Sequence, residues 1–180
     1  MKLKTIDIII PAICACLITV CSWIYIPSAI PFTLQTFAVF LVVGLFGAKR
    51  GLFSIIIYIA LGIIGIPVFS GFNSGIGAVM GPTGGYIIGF IFIPVVYFIF
   101  TRAFKDSTAV KFISLLIGLV ICYIFGSLWF VLVYNKTGNI GLIKTLSLCV
   151  IPFIIPDIIK LLLAILISNK AKPMIEKIGK

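Results

Sequence analysis

Long apolar runs separated by short polar or basic breaks constrain this chain more than any motif. They cover residues 8–26, 32–48, 52–66, 86–101, 112–134 and 145–168. A helix needs about 20 predominantly apolar residues to cross the roughly 30 Å hydrocarbon layer. Inside that layer every backbone N–H and C=O must find a partner within the protein, which leaves helices as the natural solution for such runs. The expectation is an all-α integral membrane protein, one transmembrane domain over residues 1–180 with six transmembrane helices. The first run, preceded by Lys2 and Lys4, resembles the front of a secretory signal. Its length and the repetition of the pattern downstream make it a retained first helix.

Composition agrees. Hydrophobic residues make up 62% of the chain and charged residues 10%, and mean hydropathy is +1.35, whereas soluble domains are about a quarter charged. The net charge of +10 does not point to nucleic acid, because the basic residues fall singly or in pairs between apolar runs. They act instead as topology signals. Eleven of the 14 Lys and Arg residues lie at the two ends and in the second and fourth connections, and two in the others. The positive-inside rule therefore predicts both termini in the cytoplasm and the uncharged connection at 67–85 facing outward. Five cysteines, odd in number and set among apolar residues, read as small buried hydrophobes. With no histidine in the chain, a metal centre and a His-dependent nucleophile are not expected.

Two stretches break the apolar pattern in ways that carry chemistry. Asp157 and Lys160 stand in an otherwise apolar run after Pro156, three residues apart and so about one helical turn from each other. A charge at mid-bilayer costs about 2.5–3.5 kcal/mol on insertion scales, so a structural ion pair and a binding site are the two readings. Ala164 and Ser168 continue that face as a narrow stripe. Pro156 is expected to kink a helix or to begin one.

Residues 67–86 hold six glycines and two prolines in twenty positions, which reads as a lid or re-entrant loop lining a cavity. Phe69, Phe72 and Tyr86 offer apolar walls, and Asn73 and Ser74 directed hydrogen bonds. No phosphate-loop motif accompanies the glycines. Gln35 enters the second span as a ligand contact or as a bond to a neighbouring helix. In the first span, Ala12 with Cys16 and Ala15 with Thr19 form a small-residue stripe, suited to internal packing or to a partner helix.

Pro31-Phe32-Thr33-Leu34-Gln35-Thr36, the GLFGAKRG run at 44–51, Gly81-Pro82-Thr83-Gly84-Gly85-Tyr86, and Pro156-Asp157 with Lys160 form an ordered set. Together they resemble the BioY family, the biotin-binding S components of energy-coupling factor (ECF) transporters, over essentially the whole chain. The resemblance implies a multi-pass protein of the bacterial plasma membrane with no cofactor and no enzymatic activity. Biotin would be its transported ligand, and a transmembrane T component and two cytoplasmic ATPases its partners. It places Asp157, Lys160 and Asn73 around the ligand and the Ala12–Cys16 stripe against the T component. The alternatives are an S component for another vitamin or a solitary transporter of a small polar solute. A channel would call for rings of charge or a filter sequence. An aspartyl enzyme would call for a second buried carboxylate, and Asp7 and Asp106 stand at span ends.

Overall fold

The computed structural model describes residues 5–27, 31–104, 107–134 and 141–178, with side chains at 142 and 174–178 left out. The basic residues expected to set topology at positions 2, 4, 105, 136, 177 and 180 lie outside the described residues or side chains. The architecture is all-helical apart from a two-residue ribbon. Helix α1 (Ile6–Trp23) leads into β1 (Tyr25–Ile26), which pairs antiparallel with β2 (Phe32–Thr33). Then follow α2 (Gln35–Ile63), a 3-10 turn (Ser70–Phe72), α3 (Ile76–Met80), α4 (Gly84–Gly89) and α5 (Phe92–Ala103). Helices α6 (Thr108–Tyr134), α7 (Leu142–Cys149) and α8 (Ile151–Ile178) complete the chain. Five helical stretches among the described residues are long and apolar enough to cross a membrane, taking α4 and α5 as one.

Helix α2 corrects one expectation. The break between the second and third apolar runs, Lys49-Arg50-Gly51, implies a tight turn at those residues; the chain instead reverses at Gly47, whose φ of 81° and ψ of 172° interrupt the helix. Glycine reaches that conformation without the steric penalty of a Cβ. The two limbs then run back along each other, since Gln35 Nε2 donates to Tyr58 Oη at 2.9 Å. An unbroken helix would hold those residues about 34 Å apart, 23 residues at 1.5 Å each. The expected second and third runs are thus the two limbs of α2. Arg50, freed from the turn, donates through Nε and Nη2 to Asp7 Oδ1 at 3.1 and 2.8 Å and ties the reversal to the start of α1.

Other helix breaks also sit a few residues from where proline or glycine content places them. The fourth run divides between α4 and α5 at residues 90–91. The last run breaks at Val150 (φ −126°, ψ −55°), and Pro152 falls in the first turn of α8, where its missing N–H costs nothing. Pro156 neither ends nor begins α8, which starts five residues earlier. Asp157 therefore lies in the second turn, and a helix N-terminus is not what stabilises it.

Close approach between backbones holds the bundle together. Ala164 and Ser168 on α8 are buried against the first limb of α2, where a Cβ on Gly44 would stand 2.9 Å from Ser168 Oγ. The Gly84–Gly85 pair at the head of α4 has a similar cause. A Cβ on Gly84 would overlap the Val79 carbonyl, and one on Gly85 would overlap the Trp129 side chain of α6. Trp129 Nε1 also donates to the Gly81 carbonyl at 3.0 Å, pinning the turn between α3 and α4 to α6.

Candidate functional site

Asp157 and Lys160 face inward, 2% and 6% exposed, and form an ion pair of 2.7 Å between Lys160 Nζ and Asp157 Oδ1. Two such charges survive burial only when their remaining bonding capacity is met. Here it is met from three elements. Thr36 Oγ1, in the first turn of α2, donates to Asp157 Oδ1 at 2.9 Å, and Tyr123 Oη, midway along α6, donates to Asp157 Oδ2 at 2.5 Å. Lys160 Nζ donates to the Thr33 carbonyl at 2.7 Å and to Thr36 Oγ1 at 3.1 Å. It also stands 4.1 Å from the centre of the Phe32 ring, a cation–π contact strengthened by burial. Each ammonium proton thus has an acceptor, and Thr36 both gives to the carboxylate and takes from the ammonium. Removing any one member leaves a buried charge short of a partner.

This network lines a cavity between α2, α4, α6 and α8, beneath the connection that follows α2. The cavity encloses about 650 Å³ of atom-free space, counting the part open to solvent, within the roughly 300–1,000 Å³ typical of small-molecule sites. Thr33, Gln35, Thr36, Thr83, Tyr86 and Tyr123 supply polar groups to the wall, and Ile87, Phe90, Leu119 and Phe153 the apolar surface. The cavity can hold a small, mostly apolar molecule with one polar head, and it offers a carboxylate oxygen as acceptor beside a cation and several hydroxyls.

The other residues singled out from the sequence divide between this cavity and its surroundings. Gln35 and Tyr86 line it. Gln35 holds Tyr58, and Tyr86 Oη pairs with Ser127 Oγ at 3.1 Å while its ring lies where a Cβ on Gly126 would be. Asn73 and Phe72 do not line it. Asn73 is exposed and donates to the Ser70 carbonyl at 2.9 Å, closing its own loop. Phe72, 60% exposed with a φ of 59°, lies against Trp23 with ring centres 5.1 Å apart. Phe69 packs edge-on against Tyr58 and reaches into the space left by Gly62; it fixes the root of the loop and stands outside the cavity wall. From this loop Ser70 and Thr83 reach the cavity instead.

The small-residue stripe of α1 splits in two. Ala15 and Thr19 face the bundle interior, whereas Ala12 and Cys16 are exposed on the other side. Among the described residues no cluster of His, Cys, Asp or Glu could hold a metal ion, and Cys14, Cys16, Cys21, Cys122 and Cys149 are all free thiols.

Sequence reasoning missed Thr36 and Tyr123, the two hydroxyl partners of the carboxylate. They lie 121 and 34 residues from Asp157, so no local periodicity joins them to it. A usable signal exists all the same: a buried carboxylate needs donors, and hydroxyls within apolar runs are the groups able to supply them.

The profile of the BioY family matches residues 1–177. A relative from Pyrococcus horikoshii is 41% identical over 141 residues, spanning 78% of this chain and 80% of its own. One from Thermotoga maritima, named biotin transporter BioY, is 39% identical over 159 residues, 88% of this chain and 90% of its own. Among solved structures, the S-component for biotin from an ECF-type ABC transporter superposes with a TM-score of 0.84 at 25% identity, covering 96% of this chain and 95% of that one. Sequence and fold agree over nearly the full length, and the chain belongs to the BioY family of transporter S components, integral membrane proteins rather than enzymes.

Proposed function

We propose that this protein captures biotin from the outer side of a bacterial plasma membrane and delivers it as the substrate-binding subunit of an ATP-driven ECF transporter. The observation that carries the reading is the buried Asp157–Lys160 pair, held by Thr36 and Tyr123 on the wall of a cavity whose remaining surface is largely apolar. Biotin has the complementary chemistry. Its ureido ring carries two N–H donors and a carbonyl acceptor, and its fused ring and valeryl chain are apolar. Asp157 accepts from the ureido N–H groups, a charge-assisted bond about twice as strong as a neutral one. Lys160 has its donors occupied by Thr33, Thr36 and Asp157. It therefore orients the carboxylate and reaches the ligand by exchanging one of those acceptors. Gln35 and Tyr86 add polar contacts, and Asn73 and Phe72 join the site through closure of the loop that carries them.

The chain has six spans with both termini cytoplasmic, counting the two limbs of α2 separately. The exposed Ala12–Cys16 face of α1 docks on a T component, and two cytoplasmic ATPases supply the energy. The relatives support this reading: the Thermotoga maritima relative is named a biotin transporter, and the matched structure is titled an S-component for biotin from an ECF-type transporter. The test is calorimetry on purified protein against biotin, riboflavin and thiamine. Saturable binding of biotin alone is expected; preference for either of the other two vitamins would assign the cavity to a different ligand.

A further inference from the structure

The Asp157 carboxylate, as the fold holds it, has room for one more donor. Two carboxylate oxygens offer about four acceptor positions. Lys160 Nζ and Thr36 Oγ1 take two on Oδ1, and Tyr123 Oη takes one on Oδ2. A head group with two N–H donors therefore needs a second acceptor on the cavity wall. Gln35 supplies one from the first turn of α2, one residue before Thr36. Its Nε2 donates to Tyr58 Oη at 2.9 Å, while no donor among the described residues meets its Oε1. Among those residues no buried side-chain nitrogen or oxygen lacks a partner. Oε1 is therefore open, and the space that Gln35 lines is the ligand cavity.

The polarity of that amide is set from behind. Ser22 Oγ has one hydrogen and two carbonyls to receive it, Val68 at 2.5 Å and Thr19 at 2.7 Å. Carbonyls only accept, so toward Tyr58, its other hydrogen-bonding neighbour, Ser22 is left as an acceptor. Tyr58 then gives its hydrogen to Ser22 and has lone pairs alone to offer Gln35, which must turn its NH2 group to Tyr58 and its oxygen to the cavity. Tyr58 is fully buried, and Phe69 packs edge-on against its ring with centres 5.5 Å apart, which holds the hydroxyl in place between its partners.

We propose that Gln35 Oε1 accepts the second ureido N–H of the ligand, and that Tyr58, backed by Ser22, is the positioning residue that keeps this oxygen turned into the cavity. This role rests on the proposed biotin reading and adds that both ring N–H groups are recognised, one by Asp157 and one by Gln35. A wall hydroxyl can turn and donate instead; an amide oxygen cannot. The site thus selects heads with two donors and disfavours those in which either nitrogen carries a substituent.

The test titrates the full chain in detergent with tritium-labelled biotin, using biotin methylated at one or the other ureido nitrogen as competitors. In wild type both methylated forms should bind more weakly than biotin. Gln35→Met, close to the native side chain in size, should lower biotin affinity about 3- to 10-fold, the equivalent of one neutral hydrogen bond. It should also shrink the penalty of methylation at one nitrogen and leave the penalty at the other, which faces Asp157, as it was. Tyr58→Phe should lower biotin affinity in the wild-type background and have no further effect in the Gln35→Met background, a pattern that a purely structural role of the ring would not give. Methylation penalties unchanged in Gln35→Met, or a Tyr58→Phe effect of equal size in both backgrounds, would overturn the proposal while the biotin reading stands. A wild-type protein that binds no labelled biotin would overturn that reading, and the role of Gln35 with it.

Discussion

Removing Lys160 while leaving Asp157 in place asks how much the buried pair depends on both members. In Lys160→Met the carboxylate, 2% exposed, retains the hydroxyls of Thr36 and Tyr123 but loses its only cationic partner among the described residues. The Thr33 carbonyl loses its donor as well. Breaking a buried pair from one side costs about 3–5 kcal/mol, because an uncompensated charge remains in a low-dielectric site. The double variant Lys160→Met with Asp157→Leu removes both charges; Met matches Lys in size, the extra bulk of Leu has the adjoining cavity to occupy, and apolar replacements of a buried pair are often neutral or stabilising. The two hydroxyls then lose their charged acceptor, so a residual cost of about 1–2 kcal/mol is expected. Thermal unfolding in detergent, followed by intrinsic fluorescence, should therefore rank wild type first, the double variant second and Lys160→Met last. Ligand binding should be lost in both variants, which separates the stability of the pair from its recognition role. A double variant as unstable as Lys160→Met, or a Lys160→Met protein as stable as wild type, would refute the account of a mutually compensated pair.

Three further outcomes follow from the geometry. Tyr123→Phe removes one hydroxyl and keeps the ring; the bond to Asp157 that it loses is made in the ligand-free protein, so thermal stability should fall by about 1.5–3 kcal/mol, the scale of a hydrogen bond to a charged group, with little change in the circular dichroism spectrum. Gly84→Ala places a methyl on the Val79 carbonyl, and the turn between α3 and α4 has to open; thermal stability should drop by about 1–3 kcal/mol, the scale of overpacking, and an unchanged Tm would contradict the close approach. Ala12→Trp puts a bulky ring on the exposed face of α1, and co-purification with T component and ATPases should be lost while ligand affinity in the isolated protein is kept.

The chain makes some of its structure legible and hides the rest for identifiable reasons. Apolar runs show where helices lie because hydrocarbon leaves the backbone little choice. Their breaks are harder to place. Gly47, rather than the basic residues after it, makes the reversal in α2, and Val150, rather than Pro152 or Pro156, separates α7 from α8. In both places the turn is decided by a backbone conformation that residue type only biases. Asp157 and Lys160 stand out because charge in an apolar run is costly, and their spacing already makes them neighbours. Thr36 and Tyr123 do not stand out, since their roles depend on contacts between distant parts of the chain. Asn73, read from the glycine-rich loop as a ligand contact, bonds to its own loop at the Ser70 carbonyl, and in the proposed reading it meets the ligand only when that loop closes.

The central claim is that the Asp157 carboxylate, held in place by Lys160, Thr36 and Tyr123, receives the polar head of biotin. Titration of purified wild type and Asp157→Asn with labelled biotin addresses it most directly. The amide offers one oxygen where the carboxylate offers two and carries no charge, so affinity should fall by about 10- to 150-fold, the equivalent of about 1.5–3 kcal/mol for a hydrogen bond to a charged group. Equal biotin affinity in a folded Asp157→Asn protein would contradict the account.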